Sequence, residues 1–139
     1  MVSALNWDAT PTFTDQITTG ANSLADGSSV LSSSITNSGL AQYCDVRVLL
    51  ASINPSGAPY VEIHICPSYD NGTTFADLSA ATLVRTIPVT TGSSAKEAYA
   101  RRIELPPLAF KIGLKNKTGV SLAASGNKVA TGPYNDEMQ

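Results

Sequence analysis

The stretch YCDVRVLLASINPSGAPYVEIHICPSY, residues 43 to 69, decides the fold class. Two runs that alternate apolar with polar residues, Tyr43 to Ile53 and Tyr60 to Tyr69, flank the turn-forming Asn54-Pro55-Ser56-Gly57. Alternation with period two sends successive side chains to opposite faces of a strand, and a short Asn/Pro/Gly loop between such runs closes a hairpin. If the two strands pair directly, Val46 opposes Ile65, Val48 opposes Ile63 and Leu50 opposes Val61, and one register buries them all. The same register sets Arg47 opposite His64, with Glu62 diagonal to Arg47 on the solvent face. It also puts Cys44 and Cys66 on opposite faces, which excludes a disulfide within the hairpin. This register requires that both strands share a sheet, and consecutive strands of a jelly roll can lie in different ones.

Working outward, Phe110, Ile112 and Leu114 alternate with Lys111, Gly113 and Lys115, the cleanest amphipathic strand in the chain. Pro106-Pro107 ends a preceding strand at Ala98 to Leu105, because proline cannot donate to a ladder. Asp70-Asn71-Gly72-Thr73 reads as a turn ahead of a short strand from about Thr82 to Val89. Asn116 to Gly119 turns into a strand at Val120, Leu122 and Ala124, and Ser125-Gly126-Asn127 turns again before Val129. Upstream, Ser28 to Thr36 suits a short strand ending at Asn37-Ser38-Gly39. Met1 to Gly27 carries isolated apolar residues without a period and one short strand near Phe13; the tail from Thr131 is polar, loosely held and anchored by Tyr134. The expectation is an all-β domain: a jelly-roll-like antiparallel β-sandwich of about seven or eight strands. An extended N-terminal arm spans residues 1–27, the sandwich 28–130 and a polar tail 131–139.

Composition agrees. The chain has 139 residues, one domain's worth, which disfavours an enzyme with separate cofactor and substrate halves. Apolar residues make up 42% and charged residues only 14%, and the gap is filled by 16 Ser and 14 Thr, which suit strands and turns better than solvent-exposed helices. A net charge of −2 gives no footprint for a polyanion, so nucleic acid is not an expected partner. Met1 to Thr10 lacks the basic and apolar regions of a secretory signal, and no apolar run is long enough for a membrane span. Neither secretion by a cleaved signal nor membrane insertion is expected, and synthesis in the cytoplasm is the expectation.

The candidates for chemistry are few. His64 is the lone histidine, and local sequence brings it only Glu62 and Arg47, so a surface strand position is expected rather than a catalytic one. Cys44 and Cys66 have no metal-ligand spacing and are expected to be free structural thiols. Asp70-Asn71-Gly72 is too short for a calcium loop, and the glycines follow no phosphate-binding pattern. Asp136 and Glu137 lie in the tail, without the rigid support that an acid/base pair needs. No catalytic residue, cofactor or metal is therefore expected. Trp7, Tyr43, Tyr60, Tyr69, Tyr99 and Tyr134 are the candidates for an aromatic platform of the kind carbohydrate-binding modules use. Leu5, Trp7, Phe13 and Ile17, spaced along the arm, are the candidate partner contacts, placed to cross to an adjacent subunit.

The runs Leu105-Pro106-Pro107, Phe110 to Gly119 and Leu122 to Asn127 resemble a signature of small virion structural proteins of tailed bacteriophages and prophages, including head decoration (cement) proteins. Ser38-Gly39 ahead of the Tyr43 strand, and the Pro67 to Thr74 turn, are similar to the same proteins, so the resemblance spans roughly residues 28 to 130. It implies a β-sandwich that binds the major capsid protein lattice on the outside of the head, often as a homotrimer, and reinforces it without chemistry. A tail or baseplate position, or a carbohydrate-binding host-adhesion module, is the alternative.

Overall fold

The computed structural model describes residues 5–7 and 12–138, with only the backbone described at 5–7 and 136–138. The described residues form ten strands and no helix, so no helix is long and apolar enough to cross a membrane. The strands are β1 (Leu5–Trp7), β2 (Thr14–Ile17), β3 (Ser29–Leu31), β4 (Tyr43–Leu50), β5 (Tyr60–Pro67), β6 (Leu83–Pro88), β7 (Lys96–Glu104), β8 (Phe110–Lys117), β9 (Lys128–Tyr134) and β10 (Asp136–Met138).

One four-stranded sheet runs β2-β9-β4-β7 and the other β3-β8-β5-β6, all antiparallel. The pairing is nested: β5 with β6, β4 with β7, β3 with β8, β2 with β9 and, outside the sandwich, β1 with β10. The chain is thus one long antiparallel ribbon rolled up so that β4 also meets β9 and β5 also meets β8, which is jelly-roll topology. Inward-facing Val46, Val48, Val61, Ile63, Ile112, Leu114 and Val129 are at most 1% exposed and form one core between the sheets.

The rolled ribbon overturns the direct β4–β5 hairpin. The faces were read correctly, since Val46, Val48, Leu50, Val61, Ile63 and Ile65 are all buried, but the two strands lie in opposite sheets. Val46 is paired with Ala100 and Thr131, and His64 with Gly113 and Leu83, so Arg47 does not oppose His64. The strand expected at Val120 to Ala124 is instead a loop. Its apolar residues cap the core, with Leu122 3% exposed and its N–H donating to the Leu24 carbonyl at 2.9 Å. Residues from Thr131 do not form a loose tail either: β9 runs to Tyr134 between β2 and β4, with Thr131 and Gly132 buried. Pro133 is tolerated because β2 pairs no further along β9 than Thr131. The segment expected as an arm contributes β2 to the first sheet, and Ile17 and Ala21 join the core.

Two buried asparagines fasten one end of the sandwich. Asn116, fully buried, donates to the Leu24 and Val120 carbonyls at 2.8 Å each and accepts from the Thr118 N–H and hydroxyl at 3.0 and 2.7 Å. Asn127 donates to Ala123 O and Asn22 Oδ1 and accepts from the Ala51 N–H. Loops 18–28, 51–59 and 118–127 are thereby tied together, and every one of these buried amide groups has a partner.

Three of the four outer strands of the sandwich carry a bulge. Register shifts lie within the pairings of β2, β6 and β7, and the fourth outer strand, β3, is only three residues long. In β7, Arg101 and Arg102 together face Asp45, whose carboxylate accepts from Arg101 Nη1 at 2.9 Å and from the Arg102 N–H at 3.0 Å. Bulges and short strands discourage pairing along an edge with another sheet.

Both cysteines are free and buried, Cys44 in the core and Cys66 on the outer side of the second sheet. Burial, with the neighbouring Asp45 charge added, pushes the Cys44 thiol up to about 12, and burial raises Cys66 as well. Neither thiol is expected to react with a disulfide reagent at neutral pH until the chain unfolds, and fast labelling of the native protein would contradict this burial. Asn116→Ala is expected to destabilise the fold by about 3 kcal/mol in chemical denaturation, because the buried Thr118 N–H loses its acceptor and the Leu24 and Val120 carbonyls each lose one of two donors.

Candidate functional site

His64 is not a surface residue. It is 3% exposed, on the outer face of the second sheet beneath the segment 68–82. That segment lies close because Gly113, paired with His64, leaves room for Leu78; a Cβ there would sit 3.1 Å from the leucine's methyl carbons. His64 Nδ1 is 3.1 Å from Thr82 Oγ1 and Nε2 is 3.2 Å from Glu62 Oε2. Hydroxyl, imidazole and carboxylate stand in the order of a nucleophilic relay. The Thr82 hydroxyl, however, also accepts from the Ser79 N–H at 2.9 Å and faces the Asp77 and Ser79 carbonyls at 3.2 and 3.1 Å. With Thr82 7% exposed, the arrangement acts as a clamp holding the segment 68–82 onto the sheet.

The Asp70 turn closes on its own carboxylate. Asp70 Oδ1 accepts from Ser68 Oγ and from the Thr73 and Thr74 N–H groups, at 3.0, 3.1 and 2.6 Å. Hydrogen bonds from Thr74, side chain first, hold this carboxyl down to about 2. No group of three or more metal-ligating side chains occurs among the described residues.

Of the candidate partner contacts, the side chains of Leu5 and Trp7 lie outside the described residues. Phe13 and Ile17 are engaged within their own chain. Ile17 is 3% exposed in the core, and the Phe13 ring meets Tyr99 edge-on at 6.2 Å with the Arg47 guanidinium 5.4 Å above it. The tyrosines do not form a single platform. Tyr43 and Tyr134 meet at 5.9 Å with a 33° tilt on the first sheet, Tyr60 is on the second and Tyr69 is on a loop.

What the surface does present is an apolar end. Loops 32–42, 68–82 and 105–109 emerge together opposite the asparagine-fastened end, joined by bonds from Leu105 N to Gln42 O, Ser68 N to Ala109 O and Asn37 Nδ2 to Pro106 O. Each exposes one large hydrophobic side chain: Leu40 at 66%, Tyr69 at 81% and Leu108 at 48%. Leu40 has φ of +50°, a conformation that bulky residues avoid. Asn37 holds the turn, accepting from the Ala41 N–H at 2.9 Å and donating to the Ala41 carbonyl at 2.8 Å. Tyr69 is among the aromatic candidates of the sequence, whereas Leu40 and Leu108 are not. Their signal was an apolar residue stranded directly after a turn, Asn37-Ser38-Gly39 in one case and Pro106-Pro107 in the other.

Compared with known proteins, the chain matches no family model and no curated relative.

Because Asp70 is held low only when folded, its stabilisation of the loop is complete above the ordinary carboxylate range. It is lost as pH falls from about 4 toward about 2. Protection of the Thr73 and Thr74 amides, taken relative to their intrinsic exchange rates, is expected to fall across that window in the parent, and Asp70→Asn to abolish that change in protection.

Proposed function

We propose that this chain is a structural protein of a bacteriophage virion, a capsid decoration protein that binds the outer surface of the head shell and stabilises it. The observation that carries this reading is a convergence. The Ser38-Gly39 turn, the Pro67 to Thr74 turn and the Leu105-Pro106-Pro107 turn, which resemble virion proteins separately in sequence, meet at the apolar end with Leu40, Tyr69 and Leu108. Exposed apolar side chains carried on three joined loops of a weakly charged, Ser/Thr-rich domain suit docking on a repeating lattice, where a modest interface is multiplied by copy number. A homotrimeric state and the major capsid protein as partner belong to the same reading. The β1:β10 ribbon, where the N-terminal strand leaves the sandwich, supports a role for the N-terminal segment in assembly.

The test is light scattering of the purified chain, then sedimentation with heads of its own phage. A trimer that co-sediments in saturable amounts is expected; a monomer that ignores heads but binds tails would favour a tail or baseplate position. Deleting residues 1–11, which spares β2 and the core, is expected to leave the sandwich folded and weaken assembly or head binding. Leu40→Gly relieves the positive φ and is expected to keep stability within about 1 kcal/mol of the parent while head binding falls.

A further inference from the structure

Beside the apolar end, a groove of about 410 Å³ runs between the segment 67–84 and the turn after β7. Pro67, Tyr69, Val84 and Pro106 give it apolar walls, and Asp77 and Glu104 stand on it as carboxylates. Both acids are exposed, and among the described residues neither carboxylate makes a hydrogen bond or an ion pair. This sets the two apart from the other acids whose side chains are described. Asp15, Asp45, Glu62, Asp70 and Glu97 each accept from a named donor, and Asp26 from the Gly119 N–H. The nearby cations face elsewhere, Lys111 over the Phe75 ring at 4.7 Å and Arg102 over Tyr43 at 4.1 Å.

We propose that this groove binds an extended polypeptide segment of a partner protein that carries arginine or lysine next to an apolar residue. Charge complementarity selects that occupant. A long cationic side chain lays its methylene stem along an apolar wall and delivers its charge at the end, which matches apolar sides with carboxylates beside them. The exposed ring of Tyr69 offers a face over which a guanidinium stacks. Val84 supplies the place for the neighbouring apolar residue. It is the bulged residue of β6, passed over between the His64–Leu83 and Ile63–Arg85 pairs, and it remains 37% exposed. A neutral peptide would leave both carboxylates unmatched, and an acidic one would be repelled. The inference rests on the groove alone and holds for a partner on a head or on a tail.

The test is a titration of the full chain, followed by amide NMR, with the end-blocked peptide Leu-Arg-Val-Arg-Leu and its counterpart with glutamine in place of arginine. Shifts confined to residues 65–69, 76–84 and 104–105, with affinity about tenfold lower for the glutamine peptide, are expected. The same loss is expected for the arginine peptide on the doubly substituted Asp77→Asn, Glu104→Gln protein. Both acids are exposed, so an unchanged melting temperature of that variant shows that its fold is intact. Absence of shifts at millimolar arginine peptide, equal binding of the two peptides, or full binding to the variant would each overturn the proposal. Sedimentation of the variant with heads separates this outcome from the head-binding reading, which stands or falls on the parent protein.

Discussion

Each strand of the sandwich is hydrogen-bonded to the strand that mirrors it about the turn between β5 and β6, and the rest of the molecule follows from that pairing. A ribbon with one apolar face buries it only by folding across itself, which sets β4 beside β9 and β5 beside β8 and closes a single core. Four connections then fall at one end and three at the other. Long stretches of loop lie close together, and their polar backbone groups need partners.

The two ends meet that requirement differently. At one, buried Asn116 and Asn127 bind loops from three parts of the chain, and Lys96, 7% exposed, donates to the Gly92 and Ser94 carbonyls to fasten a fourth. At the other, Asn37, Thr82 and Asp70 fix the loops through side-chain bonds to backbone, and apolar side chains are left outside. A surface ordered in this way loses little freedom on binding, so a few exposed side chains suffice for a specific contact.

Much of this was legible in the sequence, and what was not has physical causes. Alternation over six residues or more located β4, β5 and β8 and the faces they bury, because burial on one side leaves a local trace. Strand partners leave no such trace. The short Asn54 to Gly57 loop suited a hairpin as well as a crossing between sheets, and only the whole pairing pattern chooses. β9 was obscured by Gly132 and Pro133, and the alternation at Val120 to Ala124 came from a loop covering the core. His64 looked exposed because the segment that covers it begins four residues later and seats Leu78 over a glycine on a third strand. The Asp77 and Glu104 groove joins segments more than twenty residues apart, a proximity that composition and spacing do not encode.

Mirror pairing also imposes an order in time. The β5:β6 pair is the most local, joined through residues 68–82, and each further pair spans more chain until β2 meets β9 across more than a hundred residues. Closure entropy therefore favours zipping from the centre outward, and a fold so rich in distant contacts forms slowly. On the ribosome, β2 has no complete partner until Thr131 has emerged, and the first sheet lacks the end of β9 until Tyr134 has followed. The first sheet is thus completed only after β9, the last strand of the sandwich in chain order, has been made.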